Sequence, residues 1–313
     1  MRKILFHTLL FALPVVLLLV ALPVERQQQY NSVVDDCSGR GAWLYDQVFD
    51  QSDSLEWVFI GASHVMCGIQ DSLLASELNV PNLVNLGYCR TGRNFQYSVV
   101  KGLLEKHQVR HLVLGVLEKE PRFSHPIFPF VATSGELFTS PLWYNPDYLS
   151  DTWKHLAFKT ELIQDRVYSN TAHPKITLGR YGYFALHQTI SPEVAERERL
   201  FRAREEPEEF AWETAFYRNY SNQYLRKIAA ECAKHGVKIY FLYLPAFGTR
   251  YALPRDHELY EPLGTILVPP TEILINTEYW ADGHHFNRAG AHALSSWLVG
   301  ELGSEDKAIK KGE

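Results

Sequence analysis

The sequence predicts an α/β protein built on a parallel β-sheet with helices on both faces. Three observations predict it. Short apolar runs at 57–60, 83–86, 111–116 and 237–244 have the length and composition of buried strands, and glycine or proline turns punctuate them. Helical patterns lie between the runs, and continuous apolar strands divided by helices imply a sheet covered on both sides. The chain has 313 residues, 46% hydrophobic and 21% charged, which is ample for a core and too apolar for a disordered chain.

The first element lies outside the sheet. Arg2 and Lys3 precede an apolar run from about residue 4 to 24, interrupted only mildly by His7 and Pro14. The run is long enough to cross a bilayer, which takes about 20 residues, and proline is tolerated in such helices. Residues 1–26 are therefore read as one N-terminal transmembrane helix. A cleaved signal peptide is the alternative, but the run is longer than a signal's apolar core. Ala21, with Leu19 two residues before it, is also a poor cleavage site. Basic residues ahead of the run place the following domain outside the cytoplasm. Cys37, Cys67, Cys89 and Cys232 then face oxidising surroundings. They contain no CxxC, which argues against a zinc cluster or a thioredoxin-type site. Cys232 reads as a buried small hydrophobe. Cys67 and Cys89 each follow a glycine turn and could be bonded, although four cysteines allow three pairings.

Residues 27–54 read as a polar lead-in holding Cys37 and an aromatic stretch at 43–49. The α/β domain spans 55–303. Its first strand is followed by a helix over about 64–78, its second by a helix over about 94–107. Residues from about 121 to 191 are rich in proline and aromatics and read as an irregular insertion, the kind of long connection that often carries function. Trp143, Tyr144, Tyr148 and Trp153 there either form a platform for sugar rings or simply pack the insertion. Ser191 and Pro192 suit a helix start. The charged run to Glu209 reads as a solvated face laced with ion pairs, partner binding being the lesser reading. A helix over about 210–235 stops at Gly236, and the strand at 237–244 follows. A last helix covers about 288–302, and 304–313 is a charged tail.

Two turns carry chemistry. In the first, Gly61-Ala62-Ser63-His64, a serine stands between a strand and a helix. Ligands of open α/β sheets bind outside the carboxyl ends of strands, and helix-opening N–H groups point at anions. Serine is also a common N-cap, so the turn alone does not establish catalysis. In the second, 280–290, Asp282 and His285 stand three residues apart ahead of Asn287. A serine nucleophile needs a base, and the base needs a carboxylate to fix its tautomer. Asp282, His284, His285 and His292 are metal-ligand types, but no HExxH pattern accompanies them, and no metal or cofactor is expected. The net charge of −5, from 31 basic and 36 acidic residues, leaves no basic excess for nucleic acid.

In these turns the chain resembles the SGNH-type (GDSL-like) serine hydrolases. Gly61-Ala62-Ser63-His64 matches the family's nucleophile turn, Asn85-Leu86-Gly87 its second block, and Asp282, His285, Asn287 and Gly290 its D-x-x-H-x-N-x-x-G block. The resemblance implies a flavodoxin-like three-layer fold over about 55–302. It implies Ser63 as nucleophile, His285 as base, Asp282 as its partner, and the N–H groups of Ser63 and Gly87 as oxyanion hole. The third block departs. Where the family carries G-x-N-D, this chain has Gly115-Val116-Leu117-Glu118-Lys119-Glu120, and an ionised Glu118 cannot donate a hydrogen bond. Asn94 or Lys119 is a substitute donor to look for. Membrane-anchored relatives work in acyl transfer on cell-surface polysaccharides beside a multi-span membrane acyltransferase. The resemblance therefore implies an acyl-ester or glycan substrate, and hydrolysis or O-acyl (acetyl) transfer. The rival expectation is a non-catalytic scaffold or glycan-binding module. His284 is expected to be secondary to His285, because adjacent side chains in a turn diverge.

Overall fold

The computed structural model describes residues 2–51, 54–139, 145–168, 180–204 and 211–309. Five strands, β1 (Ser54–Ile60), β2 (Leu83–Asn85), β3 (Gln108–Val116), β4 (Lys238–Tyr243) and β5 (Thr265–Leu267), form one parallel sheet in the order β2-β1-β3-β4-β5. The chain leaves β1 on one side for β2 and returns on the other for β3. The β1/β3 boundary is thus the switch point, where ligands of such sheets bind.

Helices α1 (Arg2–Ala21), α2 (Arg26–Asn31) and α3 (Arg40–Tyr45) precede the sheet. Between β1 and β2 lie α4 (Ser63–Gly68) and α5 (Asp71–Glu77), and between β2 and β3 lies α6 (Arg93–Lys106). The β3–β4 connection holds α7 (Phe128–Val131), α8 (Ser134–Phe138), α9 (Tyr148–Tyr168), α10 (Pro192–Ala203) and α11 (Ala211–Lys234). The chain closes with α12 (His257–Tyr260), α13 (Thr271–Ile275) and α14 (Arg288–Ile309).

Alternation along the strands splits the core in two, because successive side chains point to opposite faces. Val58, Ile60, Leu112, Leu114, Ile239 and Phe241 pack against α6, α11 and the residues before β1. Trp57, Phe59, Val113, Tyr240 and Leu242 pack against α4, α5 and α14. Ser191 caps α10 as expected, its side chain accepting from the Val194 N–H at 3.3 Å.

Several expectations need correction. The lead-in, read as polar, packs into the domain: Tyr30, Trp43, Leu44 and Val48 are all buried in the first core. The helix expected over 64–78 is two, because the Asn85 amide takes the Val65 and Ile69 carbonyls, both at 2.9 Å, and Ser295 Oγ takes the Gln70 N–H at 2.8 Å. Strand β5 carried no apolar run long enough to announce it. The disulfide joins Cys37 to Cys89, not Cys67, with 5.5 Å between the Cα atoms. Cys67 is a buried thiol that burial pushes up to about 12. The last helix runs on to Ile309, through most of the expected tail. Trp143 and Tyr144 lie outside the described residues, Tyr148 is half-buried and Trp153 is exposed.

The N-terminal run does form a 20-residue helix, α1. Among the described residues, however, no helix is long and apolar enough to cross a membrane. The end of α1 is held firmly. Lys159 of α9 donates to the carbonyls of Leu19 (2.8 Å), Val20 (3.1 Å) and Leu22 (2.9 Å), placing a cation at the negative end of the helix dipole.

Candidate active site

Ser63 opens α4 immediately beyond β1. Two glycines let α4 come this close: a Cβ on Gly61, or on Gly115 of β3, would overlap a Val65 methyl. Ser63 therefore sits over the switch point. Beside it a narrow cleft opens between the ends of β1 and β3, lined by Ala62, His64, Gly92, Gln96, Gly115 and Leu117 among others.

The 280–290 turn comes to the same place. Trp280 and Phe286 pair across it as an antiparallel bridge, and their rings meet at a tilt with centroids 4.3 Å apart. Asp282 Oδ1 accepts the N–H groups of His284 at 2.7 Å and His285 at 2.9 Å, tightening the loop as aspartate does in turns. Asn287 then caps α14, its Oδ1 accepting from Ala289 and Gly290, both at 3.0 Å. Gly290 must be glycine, since a Cβ there would strike the Tyr279 carbonyl. Every residue of the D-x-x-H-x-N-x-x-G pattern thus has a separate physical task.

The segment after Arg180 stitches the two turns together, a part the sequence reading missed. The Gly182 N–H donates to Asp71 at 2.6 Å, Phe184 N–H to the Met66 carbonyl at 3.0 Å, and Ile190 N–H to the Trp280 carbonyl at 2.8 Å. The Arg288 N–H donates back to the Leu186 carbonyl at 2.8 Å. What read as the end of an insertion is a strap from the serine helix to the histidine turn.

The result is one hydrogen-bonded chain. Ser63 Oγ lies 2.8 Å from His285 Nε2, and His285 Nδ1 lies 3.0 Å from each oxygen of Asp282. Both contacts fall within the reach expected of a nucleophile and its base. Burial would push the Asp282 carboxyl up, but the His285 ring and the two backbone N–H groups outweigh it and hold the group far below the usual carboxylate range. An ionised Asp282 fixes Nδ1 as the protonated nitrogen and leaves Nε2 free to accept from Ser63. Its side chain is 47% exposed, more open than the buried carboxylate of the familiar serine triads.

His284 and His64 flank this chain. The His284 ring stands 6.4 Å from that of His285 and does not replace it at Ser63. The His64 ring lies 5.4 Å from His285, and among the described residues its Nδ1 is buried without a hydrogen-bond partner. Burial, then the neighbouring His285 and His284, push His64 down to about 3, so it stays neutral and is no rival base.

The oxyanion side is sparser than the sequence suggests. A Cβ on Gly87 would lie 2.5 Å from the Met66 backbone nitrogen, so glycine is required for this contact with α4. Yet its N–H donates to Asn85 Oδ1 at 2.9 Å. Asn94 is fully buried and engaged with Ser124 Oγ at 2.6 Å and the His125 N–H at 3.0 Å. Glu118 accepts from Thr249 Oγ1 at 3.0 Å and faces Arg255 at 3.9 Å. Glu120 is buried in an ion pair with Arg93 at 2.6 Å and accepts from the Tyr260 hydroxyl. The loop after β3 thus uses its carboxylates for structure. Among the described residues no cluster of histidine, cysteine or acidic side chains could hold a metal. A scan of protein-family models finds no match to the chain, and a comparison with curated proteins finds none either.

The half-buried His64 and the buried His125 contribute a pH dependence to stability. Burial pushes His64 down to about 3 and His125 down to about 4, from an ordinary 6.5. Between those values and 6.5 the unfolded chain binds protons that the folded chain refuses, so the stability these two residues contribute is full above about pH 6.5 and is lost as the pH drops. Urea unfolding at pH 7 and pH 5 is expected to show this loss. His64→Gln should make the loss smaller; an unchanged pH slope in that variant contradicts the assignment.

Proposed function

We propose that this chain is an SGNH-type serine enzyme acting on acyl esters of a cell-surface glycan outside the cytoplasm, by hydrolysis or by O-acyl (acetyl) transfer. The observation that carries the reading is the Ser63–His285–Asp282 chain at the carboxyl end of β1. Ser63 attacks the ester carbonyl while His285 Nε2 takes its proton. The tetrahedral intermediate expels the alcohol, to which His285 returns that proton, leaving an acyl-serine. Water, or a sugar hydroxyl in a transferase, then gives its proton to His285, attacks the acyl group and restores Ser63. Asp282 keeps the His285 tautomer and stabilises its charged form.

The N–H of Ser63, in the first turn of α4, has no acceptor within the helix and is the natural oxyanion donor. Gly87 can join it only by giving up its bond to Asn85. Loss of one such donor costs on the order of 100-fold in rate, so a slow enzyme is expected. The same feature favours the second reading, a non-catalytic glycan-binding scaffold of an envelope assembly.

The location is part of the proposal. The exposed Leu10, Phe11, Leu13, Leu17 and Leu18 of α1 support a membrane anchor, and the Cys37–Cys89 bond supports an oxidising compartment. A multi-span membrane acyltransferase is the partner this arrangement suits. Fractionation of cells making the full chain should recover it in the membrane fraction with its N-terminus intact. A soluble cytoplasmic species contradicts the anchor, and a trimmed periplasmic one selects a cleaved signal.

Hydrolysis of a small aryl acetate tests the chemistry. His285→Ala is expected to lose several powers of ten in turnover, and His284→Ala to keep much of it. If His284→Ala is the inactive variant, the base is misassigned. If an active protein loses nothing in either variant, the site lies elsewhere.

A further inference from the structure

Helix α10 lies across the histidine turn. A Cβ on Gly283 would stand 2.8 Å from Glu198 Cδ, and one on Gly248 would stand 3.0 Å from the Arg199 Cα. The Arg199 guanidinium is 5.9 Å from the Phe247 ring, and the Phe247 N–H donates to the Gly283 carbonyl at 3.0 Å. The helix is therefore seated on the loop that carries His284 and His285.

Arg202 follows Glu198 by four residues, so both project from one face of α10. Its side chain is only 20% exposed, and Glu198 Oε2 is 4.0 Å from its Nη2, beyond hydrogen-bond reach. Among the described residues its Nε is buried with no hydrogen-bond partner. A guanidinium has five donors in a planar fork, and leaving a buried donor unmade is costly. The second orphaned atom in this neighbourhood is His64 Nδ1, whose ring stands 6.1 Å from that of His284. Arg202 is close enough to act on both rings: burial first, then the Arg202 charge, holds His284 down, and the same charge adds to the lowering of His64. A largely buried cation, with Glu198 at 4.0 Å and the Phe201 ring at 5.7 Å, thus sits on the helix that covers the histidine turn.

We propose that Arg202, with the exposed His284 beside it, is an anion subsite flanking Ser63, and that the molecule bound there carries a carboxylate or a phosphate near the reacting group. Guanidinium is the side chain that grips either group bidentately. Glu198 opposes the anion and keeps the subsite from holding it too tightly. The word substrate rests on the serine-enzyme reading; the anion site does not.

The test is binding to the full-length Ser63→Ala protein, which cannot turn the probe over. Calorimetry would compare a uronate oligosaccharide, a neutral oligosaccharide of the same length, and glycerol phosphate. At least one anionic probe should bind about 10-fold or more tightly than the neutral one, a difference that Arg202→Gln abolishes, Arg202→Lys partly restores and Glu198→Gln enlarges. A preference for uronate assigns the carboxylate, and a preference for glycerol phosphate assigns the phosphate. Equal binding of neutral and anionic probes overturns the proposal, as does anion binding indifferent to both Arg202→Gln and Glu198→Gln. Arg202-dependent anion binding in a chain whose wild type cleaves no ester removes the enzyme reading and keeps this one. Ester cleavage without Arg202-dependent binding does the reverse.

Discussion

The site depends on how closely the helix after β1 approaches the sheet. Val65 is wedged between Gly61 and Gly115, and neither position has room for even a methyl group. Protein interiors are packed too densely for such a contact to be moved and then recovered elsewhere. Because β1 and β3 both give way to Val65, Ser63 is lifted over the switch point, within 2.8 Å of a histidine 222 residues away. Larger residues at either glycine would push the serine off this line before they altered any chemistry.

Asn85 is the second fixed point, and it occupies the Gly87 N–H. Its amide nitrogen holds two carbonyls at the end of α4, its side-chain oxygen holds Gly87, and its own N–H donates to Asp71 at 2.9 Å. Such a fully buried amide must satisfy nearly all of its hydrogen bonds. Using the Gly87 N–H for that purpose pins the second loop against α4 at the expense of a ready-made hole. The loop after β3 shows the same trade, since Glu118 and Glu120 secure Arg255 and Arg93 instead of reaching the nucleophile.

Much of this was legible in the sequence, for identifiable reasons. Four of the five strands read as apolar runs because both faces of the sheet are covered, and Asp282, His285, Asn287 and Gly290 were visible because a short turn enforces their spacing. What escaped were features set by distant contacts. The helix break at Ile69 depends on Asn85 and Ser295, the Cys37 pairing depends on the lead-in folding back, and the strap after Arg180 has no periodicity to display. Gly87 was found for its place and not for its bond. Arg202 was hidden in a charged helix that resembles any solvated face, because only the packing of α10 on Gly283 separates it from its neighbours.

The central claim is that Ser63 is an activated nucleophile. Treating the full chain with a fluorophosphonate and reading intact mass and peptide map tests it most directly, because only a serine with a working base reacts readily. The account predicts a single adduct on Ser63 in the wild type and none in Ser63→Ala. A folded wild type that takes up no label, or takes it up at another residue, contradicts it.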